Sequence, residues 1–208
     1  MLQARTMVGE VALVFGGGEA PGRAVALALA ARGVRVVVSG RDERAIARVV
    51  GEVTCGGGAA RHLAGEMTDE DHVDAALRKT AESFARPAFV IVAAPTAVCA
   101  RVVADRAVRY LADRGRLVVV VNSTSAAKGA GDVAGHSELA AFVSRMAALP
   151  TEKGTTCNAV EWAGGTNDDG EDAAEAVMFL CSAAADGITG QVLASTAASV
   201  RSSTPFSA

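Results

Sequence analysis

LVFGGGEAPGRAVAL, residues 13–27, decides how this chain is read. An apolar run closes on Gly16, Gly17 and Gly18. Glu19 and Ala20 follow, and Pro21-Gly22 leads into a segment of small apolar residues. The order implied is strand, tight turn, helix. Glycine lets the backbone approach a dinucleotide pyrophosphate, and a helix N-terminus offers it N–H groups and the positive end of a dipole. The pattern G-x-G-x-x-G fails here, because position 21 is Pro21. A second spacing fits: Gly16, three residues, position 20, one residue, Gly22. The loop alone leaves two readings open, contact with a cofactor or tight packing of helix on strand.

Outward from this loop, apolar runs alternate with helical patterns along the chain. Strands are predicted at 10–15, 34–39, 88–93, 116–121, 156–161 and 190–195, with a weaker one near 60–64. Their apolar runs are continuous, as strands buried on both faces of a parallel sheet require. Helices are predicted near 21–32, 42–52, 68–84, 97–113, 135–149 and 170–184. Pro21 suits a first helical turn, and Thr68 with Asp69, Glu70 and Asp71 suits a helix N-terminus. The alternation predicts an α/β fold: a Rossmann-like, doubly wound parallel sheet of about seven strands. Residues 1–200 form one domain in this reading, and 201–208 a mobile tail.

Composition narrows the function classes. Of 208 residues, 50% are hydrophobic, and the formal net charge is -3, so no basic face for nucleic acid is expected. The apolar runs are too short and too interrupted to span a bilayer. The N-terminal segment lacks the apolar stretch of a secretory signal. Cys55, Cys99, Cys157 and Cys181 are widely spaced, with no CxxC or other metal-ligand spacing. They read as reduced, buried thiols, and the expected location is the cytoplasm.

The motifs together resemble the short-chain dehydrogenase/reductase family. The loop is similar to that family's T-G-x-x-x-G-x-G, with Phe15 at the Thr position and Ala20 at the middle Gly. VVVSGRDERAIARVV resembles the second strand and helix. AGEMTDEDHVDAALRKTAESF resembles the segment that usually reads A-D-V-T-D, and TTCNAVEWAG resembles R-V-N-A-V-x-P-G. EDAAEAVMFLCSAAADGITGQVLAS resembles the late helix and its I-T-G-Q strand. The resemblance implies cofactor contact at Gly16, Gly18, Gly22, Arg41 and Glu66. Gly40 stands where an acid would select NAD, and Arg41 follows it, which favours NADP. Glu19 opposes this, and the added Cβ of Ala20 weakens binding, so the cofactor contact is expected to be weak or lost. Arg41 also reads as a solvated partner of Asp42 or Glu43.

The same resemblance implies a catalytic Tyr, a Lys four residues later and a Ser that orients a carbonyl. The only tyrosine is Tyr110, and the residue four later is Arg114. The lysines are Lys79, Lys128 and Lys153. Val133 stands at the expected Tyr position and Ser137 at the expected Lys position, so no catalytic residue is assigned. The fourth strand ends Ala94-Pro95 where the family has N-A-G, and the segments after it and after EWAG are short, which implies a shortened member. Ser123, Ser125, Lys128, Asp132, His136 and Glu138 are the candidates for a replaced set.

Leu139, Phe142, Val143 and Met146 form an apolar stripe on a helix whose other positions are largely small. Both faces of that helix are expected to be covered. In the resembling family, the helices matching 97–113 and 135–149 build the dimer interface. The expectation is therefore a catalytically degenerate subunit that pairs with itself or with a full-length catalytic member in an NADP-dependent oxidoreductase of secondary metabolism. It resembles the accessory subunit of the heteromeric β-hydroxyacyl oxidoreductases of aminocoumarin-type pathways. Two alternatives stay open: an atypical NADPH-dependent reductase with a replaced catalytic set, and an NADP-binding sensor.

Overall fold

The computed structural model describes residues 6–122, 131–148, 154–164 and 169–195, with the side chains of 131–136 left out. The strands are β1 (Val11–Phe15), β2 (Arg35–Gly40), β3 (Ala60–Ala64), β4 (Phe89–Ala94), β5 (Arg116–Asn122), β6 (Thr156–Trp162) and β7 (Val192–Ser195). The helices between them are α1 (Gly22–Ala31), α2 (Glu43–Cys55), α3 (Glu70–Ser83), α4 (Ala97–Tyr110), α5 (Gly131–Ala147) and α6 (Glu171–Cys181). All strand pairs are parallel, in one seven-stranded sheet of order β3-β2-β1-β4-β5-β6-β7. The Rossmann-like expectation is met. The order turns back between β1 and β4, which is where such sheets open a ligand crevice.

Successive side chains of a strand point to opposite faces. Ala12 and Val14 therefore join α1, α2 and α6 in one core, with Leu29, Ile46 and Val177. Leu13 and Phe15 join α3, α4 and α5 in the other, with Leu77, Val103 and Val143. Phe15, at the position of the family's Thr, is fully buried. Its ring belongs to the second core, and the polar side chain usual there would have no such role.

Helix boundaries moved for identifiable reasons. Asp42 and Asp69, not their neighbours, are the N-caps. Asp42 Oδ1 accepts the Arg44 and Ala45 N–H groups at 2.9 and 3.1 Å. Asp69 Oδ1 accepts from Asp71 at 3.0 Å and from His72 at 3.4 Å. Helix α3 thus starts after Asp69, and Thr68 stays in the loop. Pro21 sits just before α1, not in its first turn. Helix α4 stops at Tyr110, because Leu111 turns extended at φ -58°, ψ 143°. Helix α5 starts at Gly131, four residues before the expected start, since 135 − 131 = 4.

The late motifs are a clasp. Asn158 Nδ2 donates to the Ile188 carbonyl at 2.8 Å, and its Oδ1 accepts the Gln191 N–H at 3.1 Å. Cys157 N–H donates to Thr189 Oγ1 at 3.1 Å. The CNAV and ITGQ segments thereby fasten β7 to β6.

Candidate functional site

A cleft of about 860 Å³ opens at the C-terminal ends of the strands, over the point where the strand order turns back. Gly16 forms its floor at φ +73°. A Cβ at Gly16 would lie 2.1 Å from the Ala93 carbonyl oxygen, and one at Gly22 would lie 2.3 Å from the Gly16 carbonyl oxygen. Both contacts are with backbone, so packing alone requires glycine at these places. Gly18 is less confined, its nearest neighbour being Ala45 Cβ at 3.1 Å. The carbonyl of Ser39 fixes the loop by accepting the Gly16 and Gly17 N–H groups at 2.8 and 3.1 Å. Helix α1 begins here with no side-chain cap. An anion in the cleft would complete that helix end.

Gly16, Gly18, Arg41 and Glu66 all line the cleft. Gly22 is buried directly behind it, against Gly16. Arg41, just past β2, faces Glu66, just past β3, with Nε and Oε1 3.6 Å apart. Their side chains are 79% and 53% exposed, so the pair is held weakly in water. This partner replaces those expected for Arg41. Asp42 is occupied as a helix cap, and Glu43 lies 3.9 Å from His62. A dianion at the cleft mouth would compete with Glu66 for the guanidinium.

Sequence reasoning missed several wall residues. Ser39, 1% exposed, shares a 2.9 Å hydrogen bond with His72 Nε2. Burial holds the His72 imidazole below its usual pKa, partly offset by Asp69. On the β4–β6 side, Pro95, Cys99, Asn122 and Trp162 line the cleft. Trp162 ends β6 beside Asn122 of β5, and Gly164 leaves room for its ring. The rarity of tryptophan was the one signal available for it, since the chain has a single Trp.

Among the described residues, the titratable candidates do not gather at this cleft. Tyr110 sits at the C-terminal end of α4, while the N-terminal end, with Cys99, borders the cleft. A helix of this length, 14 residues, separates the two by about 20 Å. The Tyr110 carbonyl accepts from Arg86, and Arg114 pairs with Asp186. Lys79 lies in the C-terminal half of α3. Ser123, Ser125, Lys128 and Lys153 lie outside the described residues, as do the side chains of Asp132, Val133 and His136. Ser137 and Glu138 are exposed on α5. Among the described residues, no group of three or more His, Cys, Asp or Glu could hold a metal, and no helix is long and apolar enough to cross a membrane.

The family model for short chain dehydrogenases matches residues 10–133. The chain belongs to the short-chain dehydrogenase family. A 3-oxoacyl-[acyl-carrier-protein] reductase of Synechocystis is 37% identical over 81 residues, which spans 38% of this chain and only 33% of that reductase. A Burkholderia cenocepacia short chain dehydrogenase solved in complex with NADP has a similar fold. Its TM-score is 0.79 at 21% identity, covering 91% of this chain and 97% of that one. A Mycobacterium avium short chain dehydrogenase gives 0.78 at 24% identity, covering 91% and 83%.

Proposed function

We propose that this short-chain dehydrogenase chain binds NADP in the cleft over β1 and β4 but does not itself reduce or oxidise a substrate. It serves as the non-catalytic partner of a complete short-chain dehydrogenase. One observation carries the reading. The cleft keeps its glycine floor, open helix end and cation at the mouth, while the only tyrosine lies a helix length away from it. A carbonyl reduction needs a proton donor within hydrogen-bond reach of the substrate oxygen. Tyr110 cannot supply one there.

The residues present fit NADP. Gly16 and Gly18 would leave its pyrophosphate room, Gly22 lets the loop pack behind them, Arg41 would meet a 2′-phosphate, and Glu66 and Thr68 would border the adenine end. The nicotinamide supplies hydride chemistry when bound. This chain's part is to bind and orient.

The partner surface in this proposal lies on α4 and α5. Leu139, Phe142, Val143 and Met146 of α5 face the core, but Ala141, Ser144 and Ala148 are open. A shallow groove of about 250 Å³ runs between Val98 and Arg101 of α4 and Glu138 and Arg145 of α5. Val98 is 64% exposed. The chain alone thus covers one side of α5, and a second subunit would cover the other. The test is affinity capture of the tagged chain from its native host. The proposal expects a stoichiometric dehydrogenase carrying a Tyr-x-x-x-Lys pair. It fails if the chain is isolated alone and catalyses NADPH-dependent reduction of a 3-oxoacyl thioester, with loss of activity in His136→Ala or Ser123→Ala. Binding of NADP with neither partner nor turnover would mean a sensor.

A further inference from the structure

We propose that His72 is the positioning residue of the nucleotide cleft, holding the ends of β2 and β3 together, and that nucleotide in the cleft and a proton on His72 favour each other. This rests on the reading of the cleft as a nucleotide site.

The geometry is specific. Ser39 is buried at the end of β2, and its carbonyl holds the Gly16 and Gly17 N–H groups. Its hydroxyl has His72 Nε2 at 2.9 Å. On the other side, the imidazole fills the space that a side chain at position 65 would need. A Cβ there would lie 2.1 Å from His72 Nδ1. Gly65 in turn donates its N–H to the Gly40 carbonyl at 3.0 Å. One ring, reaching in from the first turn of α3, therefore lies between Ser39, two residues before Arg41, and Gly65, which directly precedes Glu66. The phosphate loop hangs from the first of them.

The charges around the ring give the coupling its sign. Asp69 and Lys79 act on it from α3, Glu66 from the exit of β3, and Arg41, paired with Glu66, stands at the exit of β2. Asp69 and Glu66 favour the protonated ring, while burial and Lys79 oppose it. Burial is the largest of these effects and holds His72 below its usual pKa. A phosphorylated nucleotide brings further negative charge beside Gly16 and Arg41, which favours the imidazolium. The imidazolium can still donate from Nε2 to Ser39 Oγ. Linkage then requires that protonated His72 bind the nucleotide more tightly, by the factor through which the nucleotide favours the proton.

The test uses the full chain with NADP as the probe. NMR follows the His72 ring through its titration with and without saturating NADP, and calorimetry gives the affinity of the parent, His72→Phe and His72→Gln proteins. The expected result is an upward move of the His72 midpoint on binding. In addition, His72→Phe should weaken NADP by about tenfold, the scale of one lost hydrogen bond, and His72→Gln should restore most of it. An unchanged His72 midpoint in the NADP-bound protein overturns the proposal, as does a His72→Phe protein that is folded and binds like the parent. Absence of NADP binding by the parent is a different failure, and it removes the nucleotide reading as well.

Discussion

Replacing Gly16 by alanine separates what the glycine loop does for the fold from what it does for a ligand. Gly16 has φ +73°, and a left-handed conformation costs a residue with a Cβ roughly 1–2 kcal/mol. The new Cβ would also stand 2.1 Å from the Ala93 carbonyl oxygen. That oxygen is backbone in a central strand, so relief requires moving β4 or the loop, and overpacking of this kind costs roughly 1–3 kcal/mol. The sum is about 2–5 kcal/mol, which lowers the melting temperature of a domain this size by roughly 4–20 °C. Gly9 is the internal control. Its φ is +80°, but nothing lies within 4 Å of its added Cβ. Gly9→Ala therefore carries the conformational cost alone, about 1–2 kcal/mol. Thermal and urea unfolding of both proteins without nucleotide give the comparison. A Gly16→Ala protein no less stable than Gly9→Ala would refute the packing argument, and the loop's glycines would then need a ligand to explain them.

Three further outcomes follow from single contacts. Asp42→Ala removes the cap of α2 and should cost about 1 kcal/mol in urea unfolding, because two N–H groups lose their acceptor. Arg41→Ala should leave stability unchanged, since its ion pair is exposed, yet weaken NADP about tenfold more than NAD in calorimetry. Burial pushes the Cys157 thiol up to about 12 from 9.0. The folded chain keeps that proton where the unfolded chain releases it, so the contribution is intact below pH 9.0 and lost as pH rises toward about 12. Cys157→Ala should accordingly flatten the alkaline decline in melting temperature. In the native protein, a thiol reagent should label exposed Cys55 long before buried Cys157.

The strands were legible because continuous apolar runs such as VRVVVS and RLVVVV have one use in an α/β chain, the middle of a two-sided sheet. The edges of helices were less legible. Asp42 and Asp69 are each followed by further acids, and sequence alone does not say which carboxylate turns back to the backbone. Arg41 and Glu66 were found through the family resemblance, which singles out the positions just past the second and third strands. Ser39 and His72 were not, because their contact joins residues 33 apart, in two separate motifs whose likeness to the family does not reveal it. Trp162 closes a motif that resembled the family's strand, so the likeness of its neighbours hid a side chain that lines the cleft. The glycines show the opposite effect. Their spacing suggested a cofactor, while the contacts of Gly16 and Gly22 would demand glycine in an empty fold too.

The missing proton donor is the centre of the account, and hydride transfer by the isolated chain measures it. The purified protein is loaded with NADPH, its binding is verified by calorimetry, and nicotinamide absorbance is followed after adding a 3-oxoacyl thioester. The account predicts bound NADPH that stays reduced, and oxidation only once a complete Tyr-x-x-x-Lys dehydrogenase partner is added. Repeated turnover by the chain alone, abolished by Ser123→Ala or His136→Ala, would contradict it.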